Sequence, residues 1–233
     1  MVEKNKHNYK KNGVPFITYG FWSGAQMQGA RLNAFNSLKQ NIGTPFTLIT
    51  EENIFDYQVE NQPFHSVVRY TLENKKGLSS NHLSDYFRNY ISLHHGGAYH
   101  DIKDSQGSIA HCWDKFSNPD VWIVGMPPGS FKSSILTGTQ RFIARPQTKL
   151  FKNIVRDIHT KLDQCEDLII KHPVKNFKRC CQNGEVTGYP IQWAGLHSKF
   201  FHKYQRMYKE HVNQSMFRYP TVKKYRNQSE NLK

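Results

Sequence analysis

Two β-type runs separated by a helical run open the chain, and that order restricts the fold more than any other feature. Val14–Trp22 (VPFITYGFW) is rich in β-branched and aromatic residues and stops at Ser23-Gly24, the pattern of a strand entering a loop. Gly29–Gln40 carries Leu32, Phe35 and Leu38 at near-helical spacing, with Gly43 as a stop signal. Phe46–Thr50 (FTLIT) reads as a second strand. A strand–helix–strand opening predicts an α/β fold with parallel strands.

The clearest helix is Ser79–His95. Leu83, Phe87, Tyr90, Ile91 and His94 form one apolar stripe, Ser79 or Ser80 caps the start, and Gly96-Gly97 ends it. A short strand over Ala98–Ile102 follows, then a polar break and an amphipathic piece around Ile109–Phe116. Val121–Gly125 and Gln140–Ala144 read as further strands, Thr148 to Leu162 as a helix, and Tyr189–Tyr208 as a segment holding one more helix. The expected architecture is a single Rossmann-like domain, a mostly parallel sheet flanked by helices.

At 233 residues and 37% hydrophobic, the chain suits one domain with a substantial core. The expected division is a domain over 14–222 between two basic tails, 1–13 and 223–233. A formal net charge of +14 favours anionic partners such as a phosphorylated small molecule, nucleic acid or an acidic surface. No run of about 18 apolar residues predicts a membrane span, and no apolar segment follows the basic start as in a secretory signal. Cys112, Cys165, Cys180 and Cys181 lack metal-type spacing. A cytoplasmic protein of bacterial or viral origin is the corresponding expectation.

Ser84, Asp85 and Arg88 lie one turn apart on the strong helix, so Arg88 stands above the other two. The plainer reading is an ion pair on a solvated face. The next turn of chain changes it. After Gly96-Gly97, a short strand delivers Tyr99 and Asp101 near its C-terminal end, where open α/β sheets bind ligands. Carboxylates for sugar hydroxyls, a cation for phosphates and a ring for a base are what a nucleotide sugar needs. His94-His95 is rejected as a metal pair, because adjacent residues on a helix diverge.

Ser84-Asp85-x-x-Arg88 followed by Gly96-Gly97-x-Tyr99-x-Asp101 resembles the signature of glycosyltransferases with a DxD sugar-binding region. That group includes yeast initiating mannosyltransferases, bacterial capsular-polysaccharide-synthesis enzymes and the catalytic domains of clostridial glucosylating toxins. The likeness follows the order of elements from Phe16 to Arg145 and is specific over Leu83–Asp104. It implies the A-type glycosyltransferase fold and transfer of a sugar, with retention, from a UDP- or GDP-sugar to a glycan or other hydroxylic acceptor. It further implies that Asp85 and Arg88 contact the donor sugar, that Arg88 nears the diphosphate, and that Tyr99 lies by the nucleoside. Asp101 becomes the first Asp of DxD. Phe21-Trp22-Ser23-Gly24 resembles the strand end where a Trp stacks on the base; the alternative for Trp22 is a core aromatic.

The second Asp of DxD is replaced by Lys103, with Asp104 after it. Three readings follow: Asp104 joins Asp101 on Mn²⁺ or Mg²⁺, Asp101 holds the ion alone with waters, or Lys103 neutralises the diphosphate itself. The expectation leans to a divalent ion on Asp101 and Asp104. Trp193 and His197, in the aromatic C-terminal third, are candidates for acceptor contacts or a lid; ordinary packing is the alternative. Two other functions compete: a basic nucleic-acid-binding module, disfavoured because the Lys and Arg are scattered, and a catalytically inactive binding protein on the same fold.

Overall fold

The first apolar run is broken in two. In the computed structural model, which describes residues 9–105, 107–127, 136–171, 191 and 195–216, Lys10–Lys11 (β1) and Val14–Pro15 (β2) form a small antiparallel hairpin. Asn12 and Gly13 make its turn, both with positive φ. Lys10 and Lys11, expected in the basic tail, therefore belong to a strand. Thr18–Phe21 (β3) then enters the main sheet with all four residues buried.

Gly29–Asn41 (α1) crosses to Phe46–Ile49 (β4), which pairs with β3 in parallel, as the opening pattern predicts. Ser66–Asn74 (α2) and Ser80–His94 (α3) lead to Gly97–His100 (β5), parallel to β3 on its other side. The Ser79 hydroxyl caps α3 by accepting from the His82 N–H at 2.9 Å. Gly96 and Gly97, both at positive φ, end it. A Cβ on Gly97 would stand 2.9 Å from the Ile17 carbonyl oxygen, so a side chain there would push β5 away from β3.

Ile123–Gly125 (β6) and Arg141–Ala144 (β7) complete the centre, and Val212–Asn213 (β8) closes an edge. The strand order is β4-β3-β5-β7-β6-β8. β7 is antiparallel to both neighbours while the other pairings are parallel. The sheet is thus mixed and mostly parallel. Running β7 backwards brings its entry, Thr139 and Gln140, against the C-terminal end of β5.

Both faces of the sheet are covered, and neighbouring strand residues alternate between two cores. Tyr99, Phe142 and Ala144 pack on the side of α2, α3, Lys149–Asp163 (α4) and Ser198–Met207 (the last helix). Ala98 and Ile143 pack against α1 and the 3-10 helix Ala110–Ser117, which carries the fully buried Trp113. Buried on two faces, β3, β5 and β7 read as apolar runs, as central strands of such sheets do. Cys112 and Cys165 are buried, whereas Cys180 and Cys181 lie outside the described residues. Among the described residues no helix is long and apolar enough to cross a membrane.

Candidate functional site

Five of the expected residues, Ser84, Asp85, Arg88, Tyr99 and Asp101, meet at the C-terminal end of β5. Arg88, on the buried face of α3, reaches Asp85 Oδ1 at 3.2 Å and Asp101 Oδ1 at 3.5 Å. It also donates to the Ser84 hydroxyl at 3.0 Å and to the Thr139 carbonyl at 2.7 Å. Its guanidinium lies 4.6 Å from the centre of the Tyr99 ring, within cation–π range. The Tyr99 and Ser84 hydroxyls share a hydrogen bond of 2.8 Å. The solvated-face alternative for Asp85 and Arg88 is excluded: their side chains are 13% and 9% exposed.

Thr139 has no sequence signature, since it contributes only a backbone carbonyl. It is present because β7 runs antiparallel, and the Asp101 N–H likewise donates to the Gln140 carbonyl at 2.9 Å. The entry to β7 thus fixes both the helix-borne cation and the strand-borne acid.

The two carboxylates titrate in opposite directions. Burial pushes Asp85 up to about 7, with Arg88 opposing and Asp101 reinforcing. Burial also raises Asp101, but Arg88 and Lys103 more than offset it and hold the group below the usual carboxylate range. At neutral pH the cluster therefore holds a firmly ionised Asp101 and a half-protonated Asp85 around one guanidinium. Burial lowers the neighbouring His100 to about 4. Its ring Nδ1–H donates to the Asp101 carbonyl at 2.6 Å.

Trp22 and Ser23 follow β3 and line a cleft of about 810 Å³ with Met27, Leu32, Phe35 and Glu51 among its walls. The indole is fixed by its N–H donating to the Ala25 carbonyl at 2.8 Å. Trp22 is partly exposed and packs with its buried side against the core of the α1 face. The Ser23 Oγ is buried without a hydrogen-bond partner. Arg31 connects this cleft to the charged cluster: its guanidinium lies 5.6 Å from the Trp22 ring and donates to the Ile102 carbonyl at 2.6 Å. Arg31, Glu51 and the apolar wall were not among the sequence expectations. The only signal for Arg31 was its place in the first helical turn after a strand-end Trp.

Two of the expected residues are engaged elsewhere. Lys103 does sit at the site, 3.0 Å from Asp101 Oδ2, but Asp104 turns to α1 and accepts from the Ser37 hydroxyl. With a cation beside each oxygen of Asp101 and Asp104 engaged elsewhere, these residues do not fit a Mn²⁺ or Mg²⁺ pair. Among the described residues no three His, Cys, Asp or Glu side chains gather in a way that could hold a metal. His197 is 1% exposed and accepts from the Asn89 amide at 2.8 Å, with the Phe201 ring 4.5 Å away. It is packed behind Arg88 rather than on an acceptor-facing rim, and burial together with that charge lowers its pKa well below the usual value. Trp193 lies outside the described residues. Compared with known proteins, the chain matches no family model and shows no significant similarity to any curated protein.

Proposed function

We propose that this protein is a cytoplasmic glycosyltransferase of the A-type fold. It moves a sugar from a UDP- or GDP-sugar to a hydroxyl of a glycan acceptor, with retention at the anomeric carbon. What supports this most is the convergence of Asp85, Arg88, Tyr99 and Asp101 where parallel strands end, joined to the Trp22 cleft through Arg31, which meets both the Trp22 ring and the Ile102 carbonyl. The chain leaves β3 towards β4 on one side and leaves β5 towards β6 on the other, and the crevice at such a point is where open α/β sheets bind nucleotides.

In this reading Trp22 stacks on the base, and the residues around Ser23 and Glu51 line the ribose. Lys103 meets the diphosphate and Arg88 fixes the carboxylates near it, while Asp85 and Asp101 hydrogen-bond the sugar. The bond from the anomeric carbon to the phosphate oxygen breaks, and its electron pair leaves on the diphosphate. The acceptor oxygen forms the new bond and its proton passes to the departing phosphate. Cations fixed beside that phosphate stabilise the charge it develops. Asp85, titrating near neutrality, can donate to or accept from a sugar hydroxyl.

The test is to incubate the full chain with a panel of UDP- and GDP-sugars and follow release of the nucleoside diphosphate. Turnover that disappears in Asp101→Asn, with the melting temperature retained, is the expected result. Donor binding without turnover would instead mark a catalytically inactive binding protein. Salt-dependent oligonucleotide binding with no donor binding would mark a nucleic-acid module.

A further inference from the structure

The segment leaving β5 is gripped by three side chains of α1. Arg31 donates to the Ile102 carbonyl at 2.6 Å, Asn41 to the Ser105 carbonyl at 3.0 Å, and Ser37 to the Asp104 carboxylate. That grip commits Asp104 to the α1 side. Lys103 emerges on the other side with its ammonium 3.0 Å from Asp101 Oδ2, while Arg88 faces Asp101 Oδ1 at 3.5 Å. A dication placed on Asp101 would therefore stand beside two held positive charges, with Asp104 turned to α1 and Asp85 already held by Arg88.

An anion meets the reverse situation. The Lys103 side chain is 35% exposed, and the Asp101 contact occupies one of the three donors of its ammonium. Lys103 is thus held at the mouth of the cluster with donors to spare. Asp101 acts as the group that positions it.

Resting on the glycosyltransferase reading, we infer that Lys103 takes the diphosphate of the donor directly, with Arg88 holding Asp101 beneath it, and that binding needs no divalent cation. The residue that excludes the ion is also the one that replaces it. Putting a carboxylate at position 103 would set two acids two residues apart and should import cation dependence.

The experiment is calorimetric titration of the full chain with UDP and with GDP, once in EDTA and once in Mn²⁺. Dissociation constants in the two buffers should agree within about threefold, Lys103→Ala should weaken binding by about tenfold or more, and Lys103→Arg should stay within about threefold of the parent. Lys103→Asp should bind only when Mn²⁺ is present. Binding by the parent chain that needs Mn²⁺ overturns the inference and leaves the glycosyltransferase reading standing. Lys103→Ala that binds like the parent, at an unchanged melting temperature, also overturns it. No nucleotide binding in either buffer overturns the glycosyltransferase reading, and the inference falls with it.

Discussion

α3 buries ten of its fifteen residues, Arg88 and Asn89 among them, whereas α1 on the opposite face of the sheet buries two of thirteen. α1 lines the Trp22 cleft, and α3 carries the charged cluster that Arg31 and the Ile102 carbonyl join to it. From α3 come the charges, each held by several partners in a setting with little water. From α1 come a partly exposed wall, Leu32 and Phe35, and the side chains that grip the segment after β5. A charge built into a packed helix cannot be removed without leaving its partners stranded. A wall facing solvent can change at small cost to the fold.

The contrast is broken most directly at Arg88. Removing its guanidinium in Arg88→Ala leaves Asp85 without its cation and takes one of two from Asp101, both in buried surroundings. Breaking a buried pair by deleting one partner costs about 3–5 kcal/mol. Urea denaturation at pH 7 should show a loss of that order. A loss below about 1 kcal/mol would mean that water reaches the cluster freely and that α3 is no more committed than α1.

Asp85 sharpens the comparison through pH. Its pKa is about 7 in the folded protein against about 3.9 unfolded, so the folded state keeps a proton that the unfolded chain has lost. That contribution is fully present below about pH 4 and is lost as pH rises to about 7. Asp85→Asn has no such slope. Relative to the parent, the variant should therefore gain stability between pH 5 and pH 8, by on the order of 2 kcal/mol in paired urea melts. The acid sensitivity contributed by the buried neutral histidines His100 and His159 is common to both proteins and cancels in the difference. A flat difference would place Asp85 in water.

The same two helices show how much of the fold was legible. α3 announced itself because its signals agree: a Ser cap, a four-residue apolar rhythm and a Gly-Gly stop. α1 was located from the spacing of Leu32, Phe35 and Leu38, but that spacing does not tell that Leu32 and Phe35 line the cleft, Phe35 packing also against the core. α2 escaped notice altogether, because its ends break the usual rules. His65 caps it through a ring nitrogen that accepts from the Val67 N–H at 3.2 Å, and Lys75 rather than Gly takes the left-handed position after it. β8 is only two residues long and rests on its pairing with β6. At the site, the charged residues of α3 and β5 were found, whereas Arg31 and Glu51 of the cleft and the backbone groups of Thr139 and Gln140 were not. The reversal of β7 decides their position, and no local pattern encodes it.

On the α1 side of the crevice, effects should appear in binding rather than in folding. Trp22 is partly exposed and held by the Ala25 carbonyl, so Trp22→Ala removes a stacking platform while leaving α3 intact. Aromatic stacking on a base is worth about 1–3 kcal/mol, so affinity for UDP or GDP should fall by about tenfold or more. Titration of the variant checks this, and unchanged affinity would move the nucleoside elsewhere.

The smallest effect belongs to Leu32. Its side chain is 39% exposed although it sits on a helix with a core-facing residue, Leu38, two turns further on. Truncating a residue already in contact with water removes little buried apolar area and leaves no closed cavity, so Leu32→Ala should change stability by less than about 0.5 kcal/mol. Leu38→Ala, on the same helix but with 0% exposure, should cost about 2–5 kcal/mol because the space it vacates cannot fill with water. Thermal and urea melts of the pair resolve the two expectations easily. If both substitutions cost the same, Leu32 is part of the core, the cleft wall is structural, and α1 differs from α3 only in the charges it lacks.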